Sequence, residues 1–118
     1  MSDSALRLNS KIFAKDIVFL CRKLKEKGVE GALISQLLRS GTSVGANIHE
    51  AQYAQGTKDF ISKFEIALKE VNESEYWLEL LWDTNGIAYE DFTKFQKACI
   101  DLRRMLVASI TTLKSKLH

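Results

Sequence analysis

The residue types that most often carry out catalysis are few in this chain: two histidines, His49 and His118, and two cysteines, Cys21 and Cys99. A histidine serves as a general base or a metal ligand when a neighbouring group orients its ring. Neither cysteine belongs to a Cys-x-x-Cys pair, and the sequence contains no His-Glu-x-x-His, Walker loop or dinucleotide fingerprint. A di-iron centre in a helical bundle would need two Glu-x-x-His pairs aimed inward. His49 cannot supply two. The expectation is a non-enzymatic protein with no metal and no cofactor, whose cysteines are reduced and packed as small apolar groups.

The remaining chemistry is charge. A net charge of +2 argues, taken alone, against a polyanionic partner. Its distribution argues otherwise: residues 1–28 carry a net +4 and residues 94–118 a net +5, whereas residues 57–93 carry −6 and residues 29–56 carry −1. In the first stretch Lys11, Lys15, Arg22 and Lys25 share one stripe, at about 100° per residue, opposite Phe13, Ile17, Leu20 and Leu24. In the last, Lys97 and Arg104 lie opposite an apolar seam, with Lys94 beside them and Arg103 on the flank. With the first and last helices adjacent, these cations are expected to form one composite basic surface that meets phosphates, a contact that needs no sequence code.

A second set of residues points to packing against another surface. Arg39, Ser43, Ala46 and Glu50 recur at helical spacing, with Asn47 at the edge of the same face. A merely solvated face is ordinarily richer in lysine and glutamate, so small and hydrogen-bonding residues between an arginine and a glutamate indicate that something packs there. Tyr76, Trp77 and Leu80 project away from the stripe holding Phe64, Val71 and Leu78, and tyrosine and tryptophan outside a core are common interface anchors. Arg39, Ser43, Asn47, Glu50, Glu73, Tyr76 and Trp77 are therefore expected to serve packing and assembly of a homo-oligomer. A heterologous contact of acidic helix on basic helix closes into a ring when its rotation allows.

Long helices must position these groups. The chain has 118 residues, 46% of them hydrophobic, and no proline, which fits one domain spanning residues 1–118 with little turn or polyproline structure. The first helix is expected from an Asn9-Ser10 cap to about Lys27, where Gly28 stops it. The second runs from about Gly31 to Tyr53 with Ile34, Leu37, Gly41, Val44, Ile48 and Gln52 on one stripe, and the third from a Thr57 cap to Asn85 before Gly86. The fourth runs from about Tyr89 to the C-terminus, with Phe92, Phe95, Cys99, Leu102, Leu106, Leu113 and Leu117 at three-four spacing. Gly41 and Gly45 cost helix propensity and are tolerated most easily where a neighbouring helix comes close. Short connections favour an all-α, up-down-up-down antiparallel four-helix bundle. No signal-peptide-like apolar run opens the chain and no stretch reaches the roughly 20 apolar residues of a membrane span, so a cytoplasmic protein with no membrane partner is expected.

The second-helix segment Leu37-Leu38-Arg39-Ser40-Gly41-Thr42-Ser43-Val44-Gly45-Ala46-Asn47-Ile48-His49-Glu50-Ala51, joined to Asn72-Glu73-x-Glu75-Tyr76-Trp77-Leu78, resembles the bacterial four-helix-bundle family of 23S rRNA intervening-sequence proteins. The resemblance covers most of the chain. Members of that family are small all-α proteins, some encoded within insertions in the large ribosomal RNA gene. The fold is also similar to the accessory protein of diversity-generating retroelements, a barrel-shaped pentamer of bundles that binds nucleic acid and its reverse transcriptase through basic surfaces. The resemblance implies a homo-oligomer, a pentamer being favoured, with RNA or DNA as partner, or alternatively a scaffold that recruits another protein. His49, where a small residue is common, and Ala51, where glycine is common, depart from the family pattern.

Overall fold

Leu6, Phe13, Ile17, Leu20 and Leu24 fall on one side of a helix and are all buried, so the first element is held along its whole length by its apolar face. The computed structural model describes residues 2–117, and His118 lies outside them. Four helices follow one another: α1 (Ser2–Glu26), α2 (Gly31–Ala51), α3 (Thr57–Asp83) and α4 (Tyr89–Ser115). Each packs on its sequence neighbours, α4 returns to α1, and the diagonal pairs make no close approach among the described residues. The result is an up-down-up-down antiparallel four-helix bundle, elongated to 50 × 21 × 19 Å. The α1/α4 seam is the lightest of the four helix contacts.

The ends of the helices differ in instructive ways from the sequence expectation. α1 begins at Ser2, well before Asn9-Ser10, because Leu6 is fully buried and fastens an extra two turns to the core. Ser10 is no cap; it is buried within the helix, and its hydroxyl donates to the carbonyl of Arg7 at 3.3 Å. Gly28 does stop α1, with φ +80, while its N–H donates to Lys25 and that of Val29 to Leu24. At the end of α3 the left-handed residue is Asn85, φ 62, rather than Gly86. Asparagine tolerates that conformation, and the N–H of Gly86 then reaches the carbonyl of Leu81 at 2.7 Å. Thr57 is the first residue of α3 instead of its cap, and Asp59 accepts the N–H of Gln55 at 3.1 Å. α2 ends at Ala51, two residues short of Tyr53, and Leu117, beyond the end of α4, is exposed.

Gly41 and Gly45 mark the close approach of α1 to α2. A β-carbon on Gly41 would stand 2.8 Å from Ile17 Cγ1 and 2.9 Å from Cγ2, and one on Gly45 would stand 3.1 Å from the carbonyl oxygen of Ser10. The branched Ile17 side chain is fully buried and has nowhere to move. Gly41→Ala is therefore expected to lower the stability by about 1–2 kcal/mol, because overpacking outweighs the gain in helix propensity. A urea midpoint equal to or above that of the wild type would show that the two helices separate without cost.

Candidate nucleic-acid interface

On α1 the residues opposite the core are Lys11, Lys15, Arg22 and Lys25, and all four are exposed. None has a carboxylate within ion-pair distance among the described residues, and the Arg22 guanidinium lies 5.8 Å over the ring of Phe19. At 1.5 Å per residue the stripe runs for about 21 Å along a straight helix. It is a rigid row of cations whose charge is not consumed inside the fold.

The α4 cations stand differently. Lys97 reaches Asp101 at 2.9 Å and Arg104 reaches the same carboxylate at 3.8 Å. The Lys97 ammonium holds the Asp101 carboxyl below the usual carboxylate range. Across the α1/α4 seam Lys94 faces Asp16 at 3.8 Å and Lys23 meets Asp91 at 2.7 Å, and the bond to Asp91 raises the Lys23 ammonium above its ordinary value. A groove of about 420 Å³, floored by Phe13, Phe95 and Leu102, opens between the two helices with Asp16 and Asp101 at its rim. The structure thus separates the α1 row from Lys97 and Arg104, and the continuous basic surface expected from sequence is broken by carboxylates. Arg103 is turned toward α3, where its two terminal guanidinium nitrogens donate to Glu75 at 3.0 and 3.3 Å and one of them also to Asn72 at 3.1 Å.

The second set of sequence-predicted residues comes together along the outer seam of α2 and α3. Arg39 bonds Glu70 at 3.1 Å and also Glu73, whose carboxylate accepts the indole N–H of Trp77 at 3.1 Å. Ser43 donates to the carbonyl of Arg39 at 2.7 Å, Asn47 to that of Ser43 at 2.9 Å, and Glu50 faces Lys63 at 3.6 Å. Trp77 is half-buried against the core, so it is less of an outward anchor than its helical position implies, whereas Tyr76 is exposed with its ring edge-on to Trp77 at 5.0 Å. Two features of this seam escaped the sequence. Glu70 reads as one more acid of a negative helix, and the buried Ser40–Ser74 hydroxyl contact at 2.9 Å looks from sequence like a fault in an apolar stripe. The serine at 40 falls four residues from Val44 on the core side, and that register was the available signal.

Both cysteines are buried and unpaired, and burial pushes the Cys21 thiol up to about 11 and that of Cys99 to about 12. They are packed as neutral thiols. No group of three or more histidine, cysteine, aspartate or glutamate side chains converges among the described residues in a way that would hold a metal ion. No helix among them is long and apolar enough to cross a membrane.

The sequence profile of the family described as 23S rRNA-intervening sequence protein matches residues 3–108. The chain belongs to that family. Among solved structures, this 23S rRNA-intervening sequence protein is similar to a protein of unknown function from the S23 ribosomal protein family of Bacteroides thetaiotaomicron. The two are 43% identical, with a TM-score of 0.90, over 94% of this chain and 99% of the other. No curated protein matches it. The resemblance read from the Arg39–Glu50 segment and the Asn72–Leu78 segment is thereby established at the level of family and fold.

Proposed function

We propose that the protein is a non-enzymatic, homo-oligomeric bundle that binds the sugar–phosphate backbone of RNA or DNA through α1, in the cytoplasm. The observation that carries this reading is the row Lys11, Lys15, Arg22 and Lys25, exposed and without carboxylate partners among the described residues, in a fold where Lys23, Lys94, Lys97, Arg103, Arg104 and Lys114 each have one. Such cations neutralise phosphates and release their counterions, which makes affinity steeply salt-dependent and largely indifferent to base sequence. Lys97 and Arg104 contribute less, because Asp101 already shares their charge. Titration of a labelled RNA across a salt series, with the α1 cations replaced, tests the reading.

Assembly rests on the α2/α3 seam, where Arg39, Ser43, Asn47 and Glu73 form a hydrogen-bonded strip, with Glu50 ion-paired to Lys63 at its end, beside the exposed ring of Tyr76. A satisfied, rigid polar strip next to an exposed aromatic ring is a surface suited to a second copy of the chain. Light scattering is expected to give a mass several times that of one chain, with five chains favoured. A monomer would remove the interface role of these residues and leave them as an intrachain brace. A second reading, a homo-oligomeric scaffold that recruits another protein without nucleic acid, is favoured by Leu8, Ile12 and Phe19, which stand exposed in one stripe on α1. Purification from the native host separates the two: a stoichiometric protein partner with no accompanying nucleic acid supports the scaffold.

A further inference from the structure

Beside the α1 row lies a cleft between α1 and α2 of about 410 Å³. It exists because α1 and α2 touch at Gly45 and Ser10, backbone against backbone, while Ala14 and Ala46 leave the space above that contact unfilled. Arg7 and Lys11 line it from α1, and Thr42, His49 and Glu50 from α2. Because the two helices run in opposite senses, His49 and Glu50 stand at the Arg7 end. There the His49 ring lies 5.6 Å from that of Tyr53, tilted by 57°. Tyr53 is 76% exposed, the most exposed of the large hydrophobic side chains. The turn that carries it is pinned by its N–H, which donates to the carbonyl of Glu50 at 2.9 Å. An aromatic ring this exposed serves no purpose in the core, and although Tyr53 does not line the cleft itself, it adjoins the cleft's Arg7 end through the His49 ring.

We propose that this cleft holds one unstacked nucleotide of a single-stranded nucleic acid, its phosphate on Arg7 and Lys11 and its base against Tyr53. The inference rests on the reading that α1 meets a sugar–phosphate backbone, and it adds what that reading leaves open, the form of nucleic acid preferred. Phosphate contacts alone do not distinguish a duplex from a single strand, whereas stacking on an aromatic side chain requires a base free of its own neighbours. His49 lines the cleft and its ring lies against that of Tyr53. Glu50 is turned to Lys63 at 3.6 Å, so its charge is shared with that ammonium instead of facing the phosphate unopposed.

The test compares a short labelled single strand with the duplex of the same sequence, both bound by the full chain at low salt. Tyr53→Ala is expected to weaken single-strand binding by about 5- to 100-fold and to leave the duplex unchanged, while Tyr53→Phe retains wild-type affinity. Lys11→Ala is expected to weaken both. The exposure of Tyr53 keeps folding out of the comparison. Unchanged single-strand affinity in Tyr53→Ala, or an equal loss for both forms, would overturn the stacking site and leave the α1 reading standing. Failure of the wild type to bind either form would overturn that reading itself, and this site with it.

Discussion

Replacing Lys11, Lys15, Arg22 and Lys25 together by alanine is expected to weaken RNA binding about a thousandfold at about 0.1 M salt. Each phosphate neutralised contributes about 0.9 to the slope of log affinity against log salt, so four lost contacts remove most of the counterion-release free energy. The four side chains are exposed and without ion-pair partners among the described residues, so alanine there costs no buried contact and the variant keeps its helical circular dichroism. The matching change in α4, Lys97→Ala with Arg104→Ala, is expected to cost far less. Those two cations already face Asp101, so their charge is partly compensated before any phosphate arrives. An equal loss in log affinity per cation removed in the two variants, measured by fluorescence anisotropy on one RNA, would show that position on the bundle is irrelevant and only total charge counts.

Phe64→Ala is expected to destabilise the fold by about 3–5 kcal/mol. Phe64 is the largest of the fully buried side chains, with 0% exposure, and its ring packs on that of Phe60 with centroids 4.6 Å apart. Truncation removes the transfer free energy of the ring and leaves a cavity that the close-packed helices can fill only in part. Thermal or urea unfolding checks the value, with protein concentration held fixed because assembly shifts the apparent stability. Alanine at exposed Tyr53 or Tyr76 is expected to change stability by less than about 1 kcal/mol. A loss of under about 1 kcal/mol for Phe64→Ala would mean that the bundle core is loosely packed, and the rigid spacing of the α1 cations would lose its basis.

The four helices were readable because their apolar residues keep helical spacing from end to end. Phe13, Ile17, Leu20 and Leu24 on α1 and Phe95, Cys99, Leu102 and Leu106 on α4 are all buried. Boundaries were less readable, since a hydroxyl such as that of Ser10 can cap a helix or bond backward within one, and only the burial of Leu6 decides between them. The α2/α3 seam was half visible. Arg39 and Glu73 stood out by type, but the pairing of Arg39 with Glu70 and of Ser40 with Ser74 depends on the relative register of two helices, which one helix's periodicity does not contain. The same limit explains the α1/α4 surface. Helical phase puts Lys97 and Arg104 on the outside, and the i, i+4, i+7 spacing already sets Asp101 between them, a signal the reading of the cations alone passed over. What phase does not show is Asp16 and Asp91 closing the seam, which depends on the register of α1 against α4. The α1/α2 cleft was out of reach for a different reason: it is made by a glycine contact and two alanines, none conspicuous alone, and Tyr53 adjoins it only through His49.

The central claim is that the α1 row meets phosphates, and the salt slope of RNA binding tests it most directly. In the variant lacking Lys11, Lys15, Arg22 and Lys25, the fall of log affinity per tenfold rise in salt is expected to be shallower than the wild-type value by about 3 to 4, leaving only the small slope of the remaining cations. No binding at low salt, or an unchanged slope in that variant, would contradict it.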